Sequence, residues 1–356
     1  VHLQIKPVLR QVWRSASTLQ IGLDPRFGTV LDGLTDPDRP LLDALGSGID
    51  ADRRSAGGAR ERELVRLLDE AGVLARRRTG RDRAGGLGPG RDRLAPDAAA
   101  WSLLRGPRAQ DGEGADAWDL LAARGHRTVR VEGAGRTGTA VATTLACAGI
   151  GRLDVIDLAP VGPGDVTPAG AHAGDVGRTR QEAARAAVQR VTGRAPAPDA
   201  GTVRAAPAPD LVVLVEAEVA DATGAQPLVA ADVPHLSVVI REATIVVGPL
   251  VLPGRGSCLR CLDLHRSDRD PAWPRILAQV LAARRGPDGG PGRLAEETAS
   301  AQLAASLAAL QALAHLDGAR RPAAVSATLE VERPDGLISR REWPVHPACG
   351  CHWPPR

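Results

Sequence analysis

Cys258-Leu-Arg-Cys261 and Cys349-Gly-Cys351 are the residues of this chain best suited to chemistry. Two short pairs far apart in sequence can set four thiolates at the corners of a tetrahedron, and zinc takes that geometry and those soft donors. A closed four-sulfur shell leaves no position for water or substrate, so the site would be structural, pinning the C-terminal tail to the middle of the domain. A redox Cys-x-x-Cys and four idle thiols compete with zinc. A redox motif normally opens a helix after a strand, whereas Pro253-Gly-Arg-Gly-Ser257 precedes this one and a second pair waits at the end. His265, His346 and His352 are alternative ligands, and Cys147, among Ala and Leu, reads as a small buried apolar side chain.

The second chemical feature is Thr128-Val-Arg-Val-Glu-Gly133-Ala-Gly135-Arg-Thr-Gly138. Val129 and Val131 favour a strand, Gly133 and Gly135 allow a tight turn, and Gly138 lets the following helix lie close to the sheet. Unpaired N–H groups and the positive dipole end at such a helix start suit a phosphate. The helix is rich in small residues and ends at Gly149 and Gly151, and a second strand, Leu153 to Asp157, carries an acid about where a ribose-binding carboxylate sits. A nicotinamide oxidoreductase would share this glycine pattern but gives the cysteine pairs no role.

The rest of the chain must position these groups. Its 356 residues suffice for two domains, and a hydrophobic fraction of 43% argues for globular structure. Met and Tyr are absent, Phe27 is the only Phe and Lys6 the only Lys, a bias that looks like high-GC coding; Ala, Val and Leu must build the core, with six Trp as bulky pieces. A net charge of +3 predicts no nucleic-acid partner, and the basic run 76–83, crowded by Gly and Pro, reads as solvated linker. No apolar run approaches a membrane span and no signal-peptide core opens the chain, so a cytoplasmic protein without a membrane partner is expected.

Residues 1–75 read as a small unit with strands near 12–15, 18–23 and 28–32, a short helix at 40–45, and a helix whose Leu64, Leu67, Leu68 and Ala71 form an apolar stripe. Residues 76–97 read as a Gly/Arg/Pro-rich flexible linker, and 98–356 as the second domain. In the latter, helical pieces at 97–104 and 116–123 precede the glycine loop. A helix at 178–191, buried strands at 211–215 and 236–240, helices at 270–284 and 296–316, and a hairpin over 324–331 and 337–343 follow. Strands separated by helices argue for an α/β fold with a parallel sheet covered on both faces.

The order Val12-Trp-Arg, Leu19-Gln-Ile-Gly-Leu-Asp24, Val30-Leu-Asp-Gly-Leu34, Leu64-Val65 and Gly72-Val-Leu74 resembles the winged-helix-like, PqqD-like leader-peptide recognition element of ribosomal peptide-modifying enzymes. In that family the leader adds as an extra strand to the third strand and packs on the last helix. The resemblance places peptide contacts at Thr29, Val30, Leu31 and Asp32 and at Arg62, Val65 and Arg66.

Pro253-Gly-x-Gly-x-Cys258-x-x-Cys261, Asp270-Pro-x-Trp273 and His346-Pro-x-Cys349-x-Cys351-x-Trp353, joined to the glycine loop, resemble the ubiquitin-activating-like adenylyltransferases, with a Rossmann-like domain and structural zinc. With the N-terminal module the chain is most similar to the ThiF-like leader-peptide-binding partners of azole- and azoline-forming peptide biosynthesis. The resemblance implies nucleotide positions at Gly133, Gly135, Gly138 and Asp157, with Arg180 in place of the family's Lys. Where active members carry Asn-x-x-Arg-Gln, this chain has Thr167-Pro-Ala-Gly-Ala-His172, and Glu216 and Asp221 stand near the magnesium aspartate position. Lost phosphate-binding charge implies lost adenylation. The expected function is a scaffold, commonly dimeric in the family, that presents a precursor peptide to a YcaO-type enzyme, with the nucleotide positions vestigial. The alternative is an active ATP- and magnesium-dependent adenylyltransferase acting on a sulfur-carrier or peptide C-terminus.

Overall fold

In the computed structural model, residues 2–50, 58–77, 90–104, 117–193, 208–285, 296–318 and 320–351 are described. They fall into two compact units, Val1–Ala123 and Arg124–Arg356. The first contains β1 (His2–Ile5), β2 (Gln11–Ser15), β3 (Thr18–Ile21), β4 (Thr29–Leu31), α1 (Arg39–Ser47), β5 (Ile49–Asp50), α2 (Ala59–Glu70), β6 (Leu74–Arg77), α3 (Gly90–Leu104) and the start of α4 (Ala117–Arg124). The three expected strands form one antiparallel sheet, β2-β3-β4, but a second sheet, β5-β1-β6, accompanies it. Its strands are only two to four residues long, too short to show alternation in sequence. In α2 the core is met by Leu64, Val65 and Leu68, with Leu67 36% exposed: the stripe runs one position earlier than expected.

Two sequence expectations shift here. Of the linker, 78–89 lie outside the described residues, while 76–77 close β6 and 90–97 open α3, Pro96 included. Leu94 and Ala98 of α3 pack with Leu120 and Leu121 of α4, so 98–123 belong to the first unit and the boundary falls at 123/124 rather than 97/98.

The second unit runs β7 (Thr128–Glu132), α5 (Arg136–Cys147), β8 (Arg152–Ile156), α6 (Arg180–Thr192), β9 (Leu211–Ala217), α7 (Gln226–Ala230), β10 (His235–Ile240), β11 (Thr244–Val251), α8 (Leu259–Arg269), α9 (Trp273–Arg285), α10 (Thr298–Leu316), β12 (Ala327–Glu332) and β13 (Ile338–Glu342). Its seven-stranded sheet has the order β13-β12-β11-β10-β9-β7-β8. Strands β8, β7, β9 and β10 are parallel, but β11 returns antiparallel and the hairpin β12–β13 extends the edge, making the sheet mixed rather than wholly parallel. One face, with Val129, Val131, Leu211, Val213, Leu236 and Val238, is covered by α5 and α10. The other, with Val212, Leu214, Val239 and Val246, packs on the segment holding the cysteines.

Helix α10 is, at 19 residues and a mean hydropathy of 1.2, long and apolar enough to cross a membrane, contrary to the sequence expectation. Its Ala304, Ala305, Ala308 and Ala312 are buried with Val141 and Leu145 of α5, as in a core helix of a sheet-centred domain. Alanine faces allow close helix approach, and dense packing compensates for scarce large side chains.

Candidate functional site

The turn between β7 and α5 lies where the sheet order reverses, with β8 on one side of β7 and β9 on the other. In open α/β sheets such a crevice beyond the strand ends binds ligands. Gly133, at φ 90°, could carry no Cβ without striking the Val215 carbonyl, and a Cβ on Gly138 would strike the Gly133 carbonyl. These two glycines hold the turn to the sheet. Gly135, the N-cap of α5, has only the Asp165 carboxylate at 4.0 Å, so it alone faces open space.

Asp157 and Arg180 come together at this turn. Asp157 accepts from Ala134 N–H at 2.7 Å, and Arg180 lies 3.8 Å from its carboxylate. Arg180 also makes a two-pronged pair with Asp165 at 3.0 and 3.1 Å, while the Asp165 carboxylate accepts from Gly162 N–H. The α5 N-terminus is itself occupied. Glu296 takes the Thr137 N–H at 3.2 Å and the Thr137 hydroxyl on one carboxylate oxygen, and Arg136 donates to the Glu296 carbonyl at 2.7 Å and to the Gly164 carbonyl. Burial pushes Glu296 above the ordinary carboxyl range, against the pull of the Thr137 hydrogen bonds. Asp165 and Glu296 escaped sequence reading. Asp165 sits in an irregular loop, and Glu296 reaches Thr137 across 159 positions with no local signature.

The segment Thr167–His172, expected to lack phosphate-binding charge, packs between helices. Thr143 of α5 donates to the Ala169 carbonyl at 3.2 Å and Arg190 of α6 to the Gly170 carbonyl at 3.2 Å. At the end of β9, Glu216 accepts from Asp221 N–H at 3.0 Å and pairs with Arg284 at 3.3 Å; burial raises its pKa. Asp221 caps the Thr223 and Gly224 amides at 3.1 and 2.9 Å. Both acids thus have protein partners where the magnesium alternative needs open ligands.

Cys258 is the N-cap of α8 and Cys261 lies in its first turn, where helix N–H groups favour thiolate. The β12–β13 hairpin delivers the other pair: Trp343, 2% exposed, donates its indole N–H to Thr328 at 2.9 Å, and the chain then returns past α8. The sulfurs lie 3.9 Å apart for Cys258–Cys261, 3.5 Å for Cys258–Cys349 and 3.3 Å for Cys261–Cys351, and all four within 4.8 Å of one another. A tetrahedron with metal–sulfur bonds of about 2.3 Å has edges of about 3.8 Å, so these residues can hold a metal ion. Hydrogen bonding from Cys258 and from His346 N–H pulls Cys261 down to about 4, and burial pushes Cys351 up to about 12. His346 and His265 serve the cluster's surroundings. His346 places Nε2 2.9 Å from Asp268 and accepts Ala348 N–H on Nδ1, which assigns its proton to Nε2, while His265 lies 2.9 Å from the Pro344 carbonyl. His352 lies outside the described residues, and Cys147 is half-buried rather than core.

Residues 121–197 match the model of the ThiF family. The match covers this stretch alone. It spans the strand–turn–helix–strand unit above and α6. Solved structures share the fold over nearly the whole chain. E. coli MccB with ATP covers 99% of this chain and 100% of its own, with a TM-score of 0.69 and 14% identity. The microcin C7 biosynthetic enzyme MccB in complex with N-formylated MccA gives 0.68 and 14%, covering 99% of each chain. PaaA covers 94% of this chain and 98% of its own, with a TM-score of 0.65 and 17% identity. No curated protein sequence matches. The whole-chain likeness is one of fold, and it includes the residues in front of the matched stretch.

In that unit β4 is an edge strand, paired with β3 on one side and with no described strand on the other. Val30 is 41% exposed, Thr29 half-buried and Asp32 exposed, while Leu31 and, on α2, Val65 point into the core. Arg62 and Arg66 are exposed, the latter paired with Glu63 and Glu70 at 2.7 and 2.5 Å. Arg60 donates to the Gly33 carbonyl at 3.0 Å and pairs with Asp38 at 3.2 Å, fastening the start of α2 beside the end of β4.

Proposed function

We propose that this chain is a cytoplasmic leader-peptide-binding scaffold, working as a homodimer, that presents a ribosomally made precursor to a YcaO-type enzyme. The observation that carries the peptide reading is the β4 edge with α2 fastened beside it. An unpaired edge offers backbone hydrogen bonds to an added strand, and the neighbouring helix can select side chains. The likeness to MccB, solved with MccA, supports a peptide partner, and a PqqD-like role for the first unit rests on the same edge.

Degenerate adenylation is supported at the glycine loop. Arg180 is paired to Asp165 and Asp157, and Glu296 places a carboxylate where phosphate would approach α5. Added negative charge there would meet repulsion rather than compensation. We further propose that Cys258, Cys261, Cys349 and Cys351 hold structural zinc. The ion would compensate thiolate charge and fix the C-terminal tail to α8. An active adenylyltransferase is the second reading, favoured by the open space at Gly135 and by ATP in a MccB structure of the same fold.

The peptide reading is tested with a fluorescein-labelled precursor encoded beside this gene, titrated into the zinc-loaded chain. Leu31 is buried, so Val30→Asp is the cleaner probe of the edge. Affinity should fall about tenfold, ~1.4 kcal/mol, with an unchanged melting midpoint. Equal affinity for the variant removes the strand-addition model.

A further inference from the structure

Between β10, β11 and α8 lies a cavity with room for one water-sized group. Val239, Val246, Leu259 and Leu262 give it apolar walls, and three polar side chains interrupt them. Ser237, 1% exposed, has no hydrogen-bond partner for its hydroxyl. Arg241 closes no ion pair and donates no side-chain hydrogen bond among the described residues. Arg266 pairs with Asp263 at 3.3 Å, but that carboxylate also accepts the Trp273 indole N–H at 3.1 Å. Every other lining residue is buried, and the two arginines are the lining residues that reach solvent.

The charge balance is unusual. The two guanidiniums are close enough to repel each other; Glu330, Glu242 and Asp263 act on Arg241 only from a distance, and Arg341 opposes them. Burial disfavours the charged form of both arginines. Arg241 is half-buried with no close anionic partner among the described residues, and a buried hydroxyl without a hydrogen bond, as at Ser237, is costly. A single acceptor oxygen carrying negative charge would satisfy all three groups. One water-sized space takes a single oxygen, such as one oxygen of a carboxylate, and does not enclose a whole oxyanion.

We propose that this cavity binds a carboxylate, with Arg241 and Arg266 supplying the charge and Ser237 the hydrogen bond at its floor. A guanidinium gives charge-assisted hydrogen bonds to a carboxylate oxygen, and the remainder of the ligand stays outside the mouth. The carboxylate belongs either to a free small acid or to the end of a peptide chain. The site is independent of the nucleotide and leader-peptide readings, because none of its residues takes part in either.

The test uses the full zinc-loaded chain, with sodium acetate and N-acetylglycine as probes and acetamide and N-acetylglycinamide as controls, at constant ionic strength. Melting midpoint and tryptophan fluorescence are read, since Arg266 lies 5.0 Å from the Trp273 ring and 5.5 Å from that of Trp343. The carboxylates should act saturably and the amides not at all. N-acetylglycine stronger than acetate assigns the source to a chain terminus, and equal strength assigns it to a free acid; either sustains the site. Arg241→Gln should weaken carboxylate binding at least tenfold and raise the ligand-free midpoint, because it removes an uncompensated charge. Ser237→Ala, which leaves both arginines, should weaken binding about threefold. Amides as effective as carboxylates, no saturation, or an Arg241→Gln chain that melts lower or fails to fold would overturn the proposal, the last outcome marking the arginine as part of a structural ion network.

Discussion

At the glycine loop each charged group facing the start of α5 has a partner on the chain, whereas the cysteine sulfurs have little besides one another. Arg180 has Asp165 and Asp157, Arg136 has two carbonyls, and Glu296 has Thr137. Among the described residues the sulfurs add His346 N–H at 3.4 Å, a 3.9 Å approach to the Gly256 carbonyl and a backbone hydrogen bond within the Cys258–Cys261 pair. Both are ligand-shaped features of one domain, but one is satisfied by the polypeptide and the other asks for a cation. On the scaffold reading proposed above, the glycine loop keeps its backbone form while side chains of the same chain occupy the start of α5.

The contrast is broken most forcefully at the cysteines. Chelating the metal, or replacing Cys261 with Ser, should remove on the order of 10 kcal/mol from the stability of the second unit. Zinc content and denaturant unfolding measured together check this; a chain that melts unchanged without metal would make the thiols idle.

Next in size is Gly138→Ala. Its Cβ would strike the Gly133 carbonyl, lifting α5 from the loop, at a cost of about 3 kcal/mol. Gly135→Ala meets nothing closer than 4.0 Å and should cost only the poorer N-cap, about 1 kcal/mol. Equal costs for the two substitutions would erase the distinction between the glycines that build the turn and the one that faces open space.

Glu296 gives a smaller effect of two kinds. Glu296→Ala should strengthen ATP–magnesium binding about tenfold in calorimetry, ~1.4 kcal/mol, by freeing the helix start. No gain would mean that this carboxylate is not what closes the loop. Its raised pKa means that the folded chain keeps the proton longer than the unfolded one. The associated stability is complete below the unfolded value of about 4.3 and is lost as pH rises through the higher folded value. Glu296→Gln should therefore flatten the stability profile above that point and raise the midpoint at pH 7 by roughly 2–4 °C.

Much of the second unit was legible because its signals are local. The valines of β7, the glycines after it and the small residues of α5 each restrict their own backbone, and two cysteine pairs declare their ligand chemistry by type and spacing. The second sheet of the first unit was not legible, since His2–Ile5 pairs with residues more than forty positions away and its partner strands are too short to show a period. The antiparallel return of β11 was hidden for a similar reason: a fully buried strand reads the same in either direction.

The same division holds at the sites. Sequence alone determined which residues could do chemistry, because backbone freedom, side-chain basicity and metal preference belong to residue types and short spacings. Only the tertiary structure decided which of those groups remain open to a ligand. Glu296 at Thr137, Asp165 at Arg180 and Arg284 at Glu216 are pairings between distant segments. Coulomb attraction and desolvation act through space, so the occupancy of a site is settled by neighbours that sequence spacing does not reveal.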